Sequence, residues 1–190
     1  MPRTLRTIAL LLPLAVLASG CLYETTLNAN GSGTLTAFYK MPKDQTLDQQ
    51  KKQFTSSTMS VTKAQVEADN KVRIEATFTD LTKINTAPFF KNVVAAVSSD
   101  EKAGTKTINA KLVTRNPVKL PDAVVEYFGK EWTFSLTLPG EVVKSNATST
   151  KGNTVSWTFP LTLVAKEIPF EVTYKPAPEA NPTAGATPKG

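Results

Sequence analysis

The chain has 190 residues, with 22 Lys and Arg against 16 Asp and Glu, a single cysteine and no histidine. This composition excludes an internal disulfide and a histidine base or metal ligand, so we expect no enzyme activity, no metal and no cofactor. Its lysines are scattered, with Lys51-Lys52 the only adjacent pair before the tail, which argues against a nucleic-acid partner.

The first 20 residues have the features of a secretory signal peptide. A short basic region contains Arg3 and Arg6, an apolar run follows from Ile8 to Leu17, and small residues come next. The apolar run is shorter than the about 20 residues that a membrane-spanning helix needs. We therefore predict that residues 1–20 are removed from the mature protein.

Cys21 directly follows these small residues, as in the lipobox of bacterial lipoproteins, although Leu17 lies four positions before it instead of the preferred three. A lone cysteine in a secreted chain has no disulfide partner, and acylation would account for it. We predict cleavage before Cys21, a diacylglycerol anchor with acyl chains such as palmitate on its sulfur, and a membrane-anchored location on the extracytoplasmic side of the cell envelope. The alternative is an ordinary signal peptide followed by a chance cysteine.

From Leu22 onward, apolar and polar residues alternate with a period of two. A first hairpin is predicted to turn at Asn30–Gly33, and a second to turn around Asp69-Asn70, with Val72 and Ile74 on its core face. Further strands are predicted at NVVAAVSS, KTINAKLVT, EWTFSLTL, GEVVKSNA, NTVSWTF and IPFEVTYK. Because the first strand is predicted to begin at Leu22 or Tyr23, the domain should lie close to the bilayer.

Two segments have helical patterns. Thr46 and Gln49 form a capping box, which predicts a helix from Leu47 to about Ser56. In LPDAVVEYFGK, Pro121-Asp122 suits the start of a helix, and Gly129 suits its end. The predicted fold is α+β, a mainly antiparallel curved β-sheet with two short helices on one face.

TLNANGSGTLTAFYKMP and FSLTLPGEVVKSNATSTKGNTVSWTF resemble the start and the end of the LppM-type domain of bacterial lipoproteins. In that family a strand ending in Pro-Gly leads to a Gly-Asn-Thr-Val-x-Trp strand. The resemblance implies an envelope-anchored α+β domain over residues 21–175, with an apolar cleft for lipid. Many members carry a membrane-spanning helix near the C-terminus, whereas residues 176–190 of this chain are predicted to form a disordered Pro/Ala/Thr-rich tail.

Adjacent aromatics occur in INTAPFFKN. In a strand, one of Phe89 and Phe90 would face outward for ligand or membrane contact, whereas an irregular turn would fold both inward as core. Together with Tyr23 and Phe128, they are the candidate residues for contact with a membrane or an apolar ligand.

Ser60 and Lys63 match the serine-lysine spacing of some acyl-enzymes. In a regular strand, residues three apart face opposite sides, so we expect no catalytic pair there. The predicted function is binding of a lipid or another apolar envelope component. The alternative is a structural or adaptor lipoprotein that recruits a protein partner, for which the extended tail is the motivating feature.

The lipid anchor gives a first test. The substitution Cys21→Ser removes the thiol that is acylated, so it should block cleavage by the lipoprotein-specific peptidase and move the protein out of the detergent phase in a partition assay. Unchanged partitioning, with a mature N-terminus at another residue, would rule out the anchor.

Overall fold

The computed structural model describes residues 20–114, 120–162 and 167–178, which form eleven strands and two α-helices. The helices are α1 Leu47–Gln53 and α2 Asp122–Phe128. The strands are β1 Gly20–Leu27, β2 Gly33–Lys40, β3 Met59–Val66, β4 Lys71–Phe78, β5 Val93–Asp100, β6 Thr105–Val113, β7 Glu131–Thr137, β8 Gly140–Ser145, β9 Ser149–Lys151, β10 Thr154–Pro160 and β11 Glu167–Pro176. The predicted signal peptide, except for Gly20, and most of the predicted tail lie outside the described residues.

The strands form two sheets instead of the single sheet expected. One has seven strands in the order β3-β4-β2-β1-β7-β10-β9, and the other has four in the order β5-β6-β11-β8. The first sheet is mixed, because β1 pairs antiparallel with β2 on one side and parallel with β7 on the other. The expectation of mainly antiparallel strands is confirmed for the remaining pairs. The parallel pair joins segments about a hundred residues apart, which local sequence patterns do not reveal.

Both predicted hairpins are present, and backbone geometry explains their turns. Between β1 and β2, Gly31 has a φ of 85°, and the Asn28 amide donates to the Ser32 carbonyl at 2.8 Å. Between β3 and β4, Asp69 and Asn70 have φ values of 59° and 56°, in the left-handed region that these two residue types tolerate. Turn chemistry therefore fixes the β1–β2 and β3–β4 hairpins locally.

A β-bulge interrupts β3 at Thr62, where the pairing with β4 shifts between Val61 and Lys63. The Thr62 hydroxyl donates to the Glu75 carbonyl at 3.0 Å. The extra residue reverses the alternation, so Ser60 and Lys63 lie on the same face of the sheet. The expectation that they face opposite sides is therefore wrong, because it assumed a regular strand.

Helix α1 begins as predicted. The Thr46 hydroxyl accepts from the Gln49 amide at 3.3 Å, and the Thr46 amide donates to the Gln49 side chain at 2.7 Å. The helix ends at Gln53, three residues before the predicted end, and the fully buried Phe54 forms its C-cap. On its inner side the Tyr39 hydroxyl donates to the buried Gln50 side chain at 2.6 Å. Helix α1 is thereby attached to the inward face of β2.

Helix α2 docks at a different place. The Tyr127 hydroxyl donates to the Met41 carbonyl at 2.8 Å, and the Lys40 ammonium lies 4.6 Å from the centre of the Tyr127 ring. Lys40 follows the inward-facing Tyr39, so its side chain leaves the opposite face of β2. The expectation of two helices on one face is corrected accordingly. Three 3-10 segments were also not predicted: Ala68–Asn70, Leu81–Thr86 and Pro88–Phe90.

A polar contact between the buried Trp157 and the exposed Asn146 joins the two sheets. Trp157 of β10 is 2% exposed, and its indole N–H donates to the Asn146 side-chain oxygen at 2.8 Å. The same oxygen accepts from the Glu171 amide of β11 at 2.8 Å. The inward faces of both sheets form one apolar core. Asn146 therefore satisfies one donor from each sheet.

We expect Asn146→Ala to lower the free energy of unfolding by about 1–3 kcal/mol, because it leaves the Trp157 and Glu171 donors without their acceptor. Chemical denaturation followed by tryptophan fluorescence measures this change. The control is Asn109→Ala at an exposed position of β6, which should stay within about 0.5 kcal/mol of the wild type. Equal effects of the two substitutions would show that the Asn146 contact does not stabilise the fold.

Candidate functional site

An apolar cavity of about 390 Å³ lies between the two sheets and is partly open to solvent. Strands β1 and β7 of the larger sheet supply one wall, and β5, β6 and β11 of the smaller sheet supply the opposite wall. The two 3-10 segments before β5 close a third side. Among residues 20–114, 120–162 and 167–178, no Lys, Arg, Asp or Glu side chain lines the cavity. The site is therefore a space between two β-layers with walls of hydrocarbon and aromatic rings.

The larger sheet contributes a group of four side chains. Alternation along β1 turns Cys21 and Tyr23 toward the cavity while the exposed Glu24 faces away. The parallel register places Cys21 opposite Trp132 and Tyr23 opposite Phe134. Because paired residues of neighbouring strands face the same side of the sheet, all four side chains line the same wall of the cavity.

The smaller sheet leaves the space unfilled because it presents short side chains there. Ala95 of β5 pairs with Ala110 of β6, and both line the cavity. On the neighbouring rung, Leu112 pairs with Ile168 of β11, and Phe170 lies opposite Ala110. Two alanines facing the large rings of β1 and β7 account for the cavity.

The predicted aromatic pair lies in a 3-10 turn, Pro88–Phe90, and not in a strand. Both side chains line the cavity, but only Phe90 is buried, so the irregular turn does not fold both inward as core. Phe90 is 8% exposed, whereas Phe89 is 37% exposed. The Phe89 ring centre lies 4.4 Å from that of Phe54 and 5.5 Å from that of Tyr23. Phe89 therefore links the cavity wall to helix α1 and remains partly open to solvent.

The ionisable groups beside the cavity are held neutral. Burial raises the pKa of the Cys21 thiol, an effect that a hydrogen bond with Tyr23 only partly opposes. Burial also raises the pKa of the Tyr23 and Tyr39 hydroxyls well above their usual range. At neutral pH these groups carry no charge, and a protonated thiol is a poor nucleophile. The arrangement suits an uncharged apolar guest better than acid-base chemistry.

Ser60 and Lys63 border a separate groove beside α1 that also contains Lys51 and Thr55. Both are exposed, and no hydrogen bond joins them in the part of the chain that the structure describes. Within residues 20–114, 120–162 and 167–178, no group of three His, Cys, Asp or Glu side chains is placed to hold a metal ion. In the same ranges, no helix is both long and apolar enough to cross a membrane.

Four of the five predicted site residues meet at this cavity: Cys21, Tyr23, Phe89 and Phe90. The fifth, Phe128, is half-buried on α2 against Tyr127, with ring centres 5.0 Å apart, and does not line the cavity. Ala95 of β5 and Ala110 of β6 also line the cavity, but the sequence did not predict them as site residues. Their only signal is a pair of small residues at core-facing positions of two adjacent predicted strands.

Comparison with known proteins agrees with the resemblance seen in the sequence. The family model for the LppM domain matches residues 24–174. The NMR structure of the folded domain of Mycobacterium tuberculosis LppM superposes with a TM-score of 0.52 at 11% sequence identity, covering 82% of this chain and 88% of that one. At this identity the structural match establishes the shared fold alone. No curated protein sequence matches the chain significantly.

The half-buried Cys21 thiol gives a test of the cavity wall. In the chain produced from Gly20 onward without acylation, we expect Cys21 to react with iodoacetamide at least about tenfold more slowly at neutral pH than in the urea-unfolded chain, because burial shields the thiol and raises its pKa. The raised pKa also moves the midpoint of the rate-against-pH curve above about 8.5, the ordinary thiol value.

The matched control is a thiol placed on the outer face of β5 by Ala96→Cys in a Cys21→Ser background. This exposed thiol should react at a rate close to that of the unfolded chain. Equal rates for Cys21 and the outer-face thiol would show that Cys21 does not line a cavity.

Proposed function

Because this chain belongs to the LppM domain family of lipoproteins, we propose that it is a bacterial envelope lipoprotein whose domain binds a lipid acyl chain, or another apolar envelope component, in the cavity between its sheets. An acylated Cys21 anchors it to the membrane on the extracytoplasmic side. The role is one of binding and not of catalysis.

The size and the apolar lining of the cavity are the main support for a lipid-binding function. Its volume of about 390 Å³ falls within the range of about 300–1,000 Å³ that is common for small-molecule sites. The described residues that line it carry no charge, which disfavours a charged guest, because a buried charge requires a partner. Transfer of each CH₂ group from water into such a site contributes about 0.8 kcal/mol, so an extended acyl chain gains the most from it.

The position of the anchor supports the same function. Strand β1 already includes Gly20 and Cys21, so the strand starts earlier than the predicted Leu22 or Tyr23. No linker separates the proposed acylated residue from the folded domain. The cavity wall that contains Cys21 is thus held beside the bilayer, where an acyl chain can enter with little exposure to water.

The alternative role, recruitment of a protein partner, has weaker support. Val94 is 49% exposed and Val143 is 60% exposed, but they lie on β5 and β8 at opposite edges of the smaller sheet. These two valines lie too far apart to form by themselves the contiguous apolar patch that a protein interface needs. The tail that motivated this alternative lies mostly outside the described residues.

Filling the cavity should abolish lipid binding. In the unacylated chain produced from Gly20 onward, we expect saturable binding of a fluorescent long-chain fatty acid at one site. Ala95→Phe places a ring in the cavity and should weaken this binding at least about tenfold, equivalent to about 1.4 kcal/mol. Fluorescence titration measures both affinities.

The control is Ala96→Phe, the same substitution one residue along β5 on the exposed face. It should bind the probe like the wild type. Thermal unfolding of each variant establishes that it is folded. Absence of saturable binding by the wild type, or equal weakening by both substitutions, would contradict a lipid site in this cavity.

A further inference from the structure

We infer that in the acylated protein one acyl chain of the Cys21 anchor itself lies in the cavity, so that this anchor chain and a free lipid compete for the same space. This inference rests on the proposed acylation of Cys21. It assigns the cavity a resident occupant that is part of the mature protein.

The fixed backbone at Cys21 is the first reason. Cys21 pairs with Trp132 of β7, and the next residue, Leu22, pairs with Phe38 of β2. A strand held by neighbours on both sides cannot turn one side chain to its other face without losing this register. Whatever is bonded to the Cys21 sulfur therefore starts inside the cavity wall.

The chemistry of that wall is the second reason. Beyond the sulfur the path is bordered by the rings of Tyr23, Trp132 and Phe134, and across the cavity by Ala95 and Ala110. The lining residues that the structure describes along this path are all uncharged. The space of about 390 Å³ lies near the lower end of the usual range for ligand sites, which suits one chain and not two. The second chain of a diacylglyceryl group then remains in the bilayer.

A coupling between binding and anchoring follows. A single inserted chain gives only marginal, reversible membrane attachment, whereas stable attachment takes two signals. When a free lipid enters the cavity, the anchor chain is displaced into the bilayer and attachment becomes stronger. By linkage, insertion of both chains into the membrane favours uptake of the free lipid to the same degree.

Photocrosslinking tests the inference on the full-length protein. Bacteria that process the protein natively are fed a long-chain fatty acid carrying a diazirine, which enters the anchor, and membranes are then irradiated. Mass spectrometry of peptides should find the anchor crosslinked to cavity-lining segments, such as those that contain Ala110 or Phe134. Crosslinks to membrane phospholipids alone would overturn the inference.

Paired substitutions separate cavity occupancy from chance contact. Ala95→Phe should abolish the crosslinks to the lining, whereas Ala96→Phe on the opposite face should retain them. If Ala95→Phe does not fold, Ala110→Leu fills the same space with a smaller side chain. Equal crosslinking in the filled and control variants would also overturn the inference.

The fatty acid titration of the unacylated chain distinguishes this inference from the proposed function. Binding of the probe, together with an anchor that crosslinks only to phospholipid, would overturn the resident chain and leave the lipid site standing. Absence of probe binding, together with crosslinks to the lining, would overturn uptake of free lipid and support a cavity that serves the anchor alone.

Discussion

The parallel pairing of β1 with β7 organises the whole domain. It joins the N-terminal hairpin to the C-terminal half of the domain and sets Cys21 and Tyr23 in phase with Trp132 and Phe134. Parallel pairing requires a long crossover, here the whole segment that contains β2 to β6 and α2. Because strand phase decides which face each side chain takes, the anchor residue and the cavity wall are positioned by the same interaction.

The cavity is a departure from the close packing of ordinary protein interiors. The sheets could approach more closely, or larger side chains could fill the gap, yet Ala95 and Ala110 face large rings across it. An unfilled apolar space forfeits dispersion contacts and therefore lowers stability unless something occupies it. Both an incoming lipid and an anchor chain would restore those contacts, so binding and stability are linked in this fold.

The sequence predicts the local parts of this structure well, because their causes lie within a few residues. The capping box at Thr46 and the turns at Gly31 and Asp69-Asn70 are examples. The sequence does not predict features that depend on residues far apart in the chain or on an irregular strand. The second sheet and the β1–β7 register depend on non-local pairing, and the bulge at Thr62 changes alternation through one inserted residue. For the site, alternation and aromatic content identify Tyr23 and the Pro88–Phe90 segment. The cavity itself was not predicted, because it results from the small side chains of Ala95 and Ala110, which leave space between the sheets.

Native mass spectrometry of the unacylated chain, produced from Gly20 onward in bacteria and purified without detergent, can show whether the space between the sheets holds an acyl chain. We expect a bound species heavier than the polypeptide by the mass of one acyl lipid, which solvent extraction releases and identifies. A polypeptide that stays bare under gentle ionisation, with no lipid in the extract, would show that this space is not a lipid site.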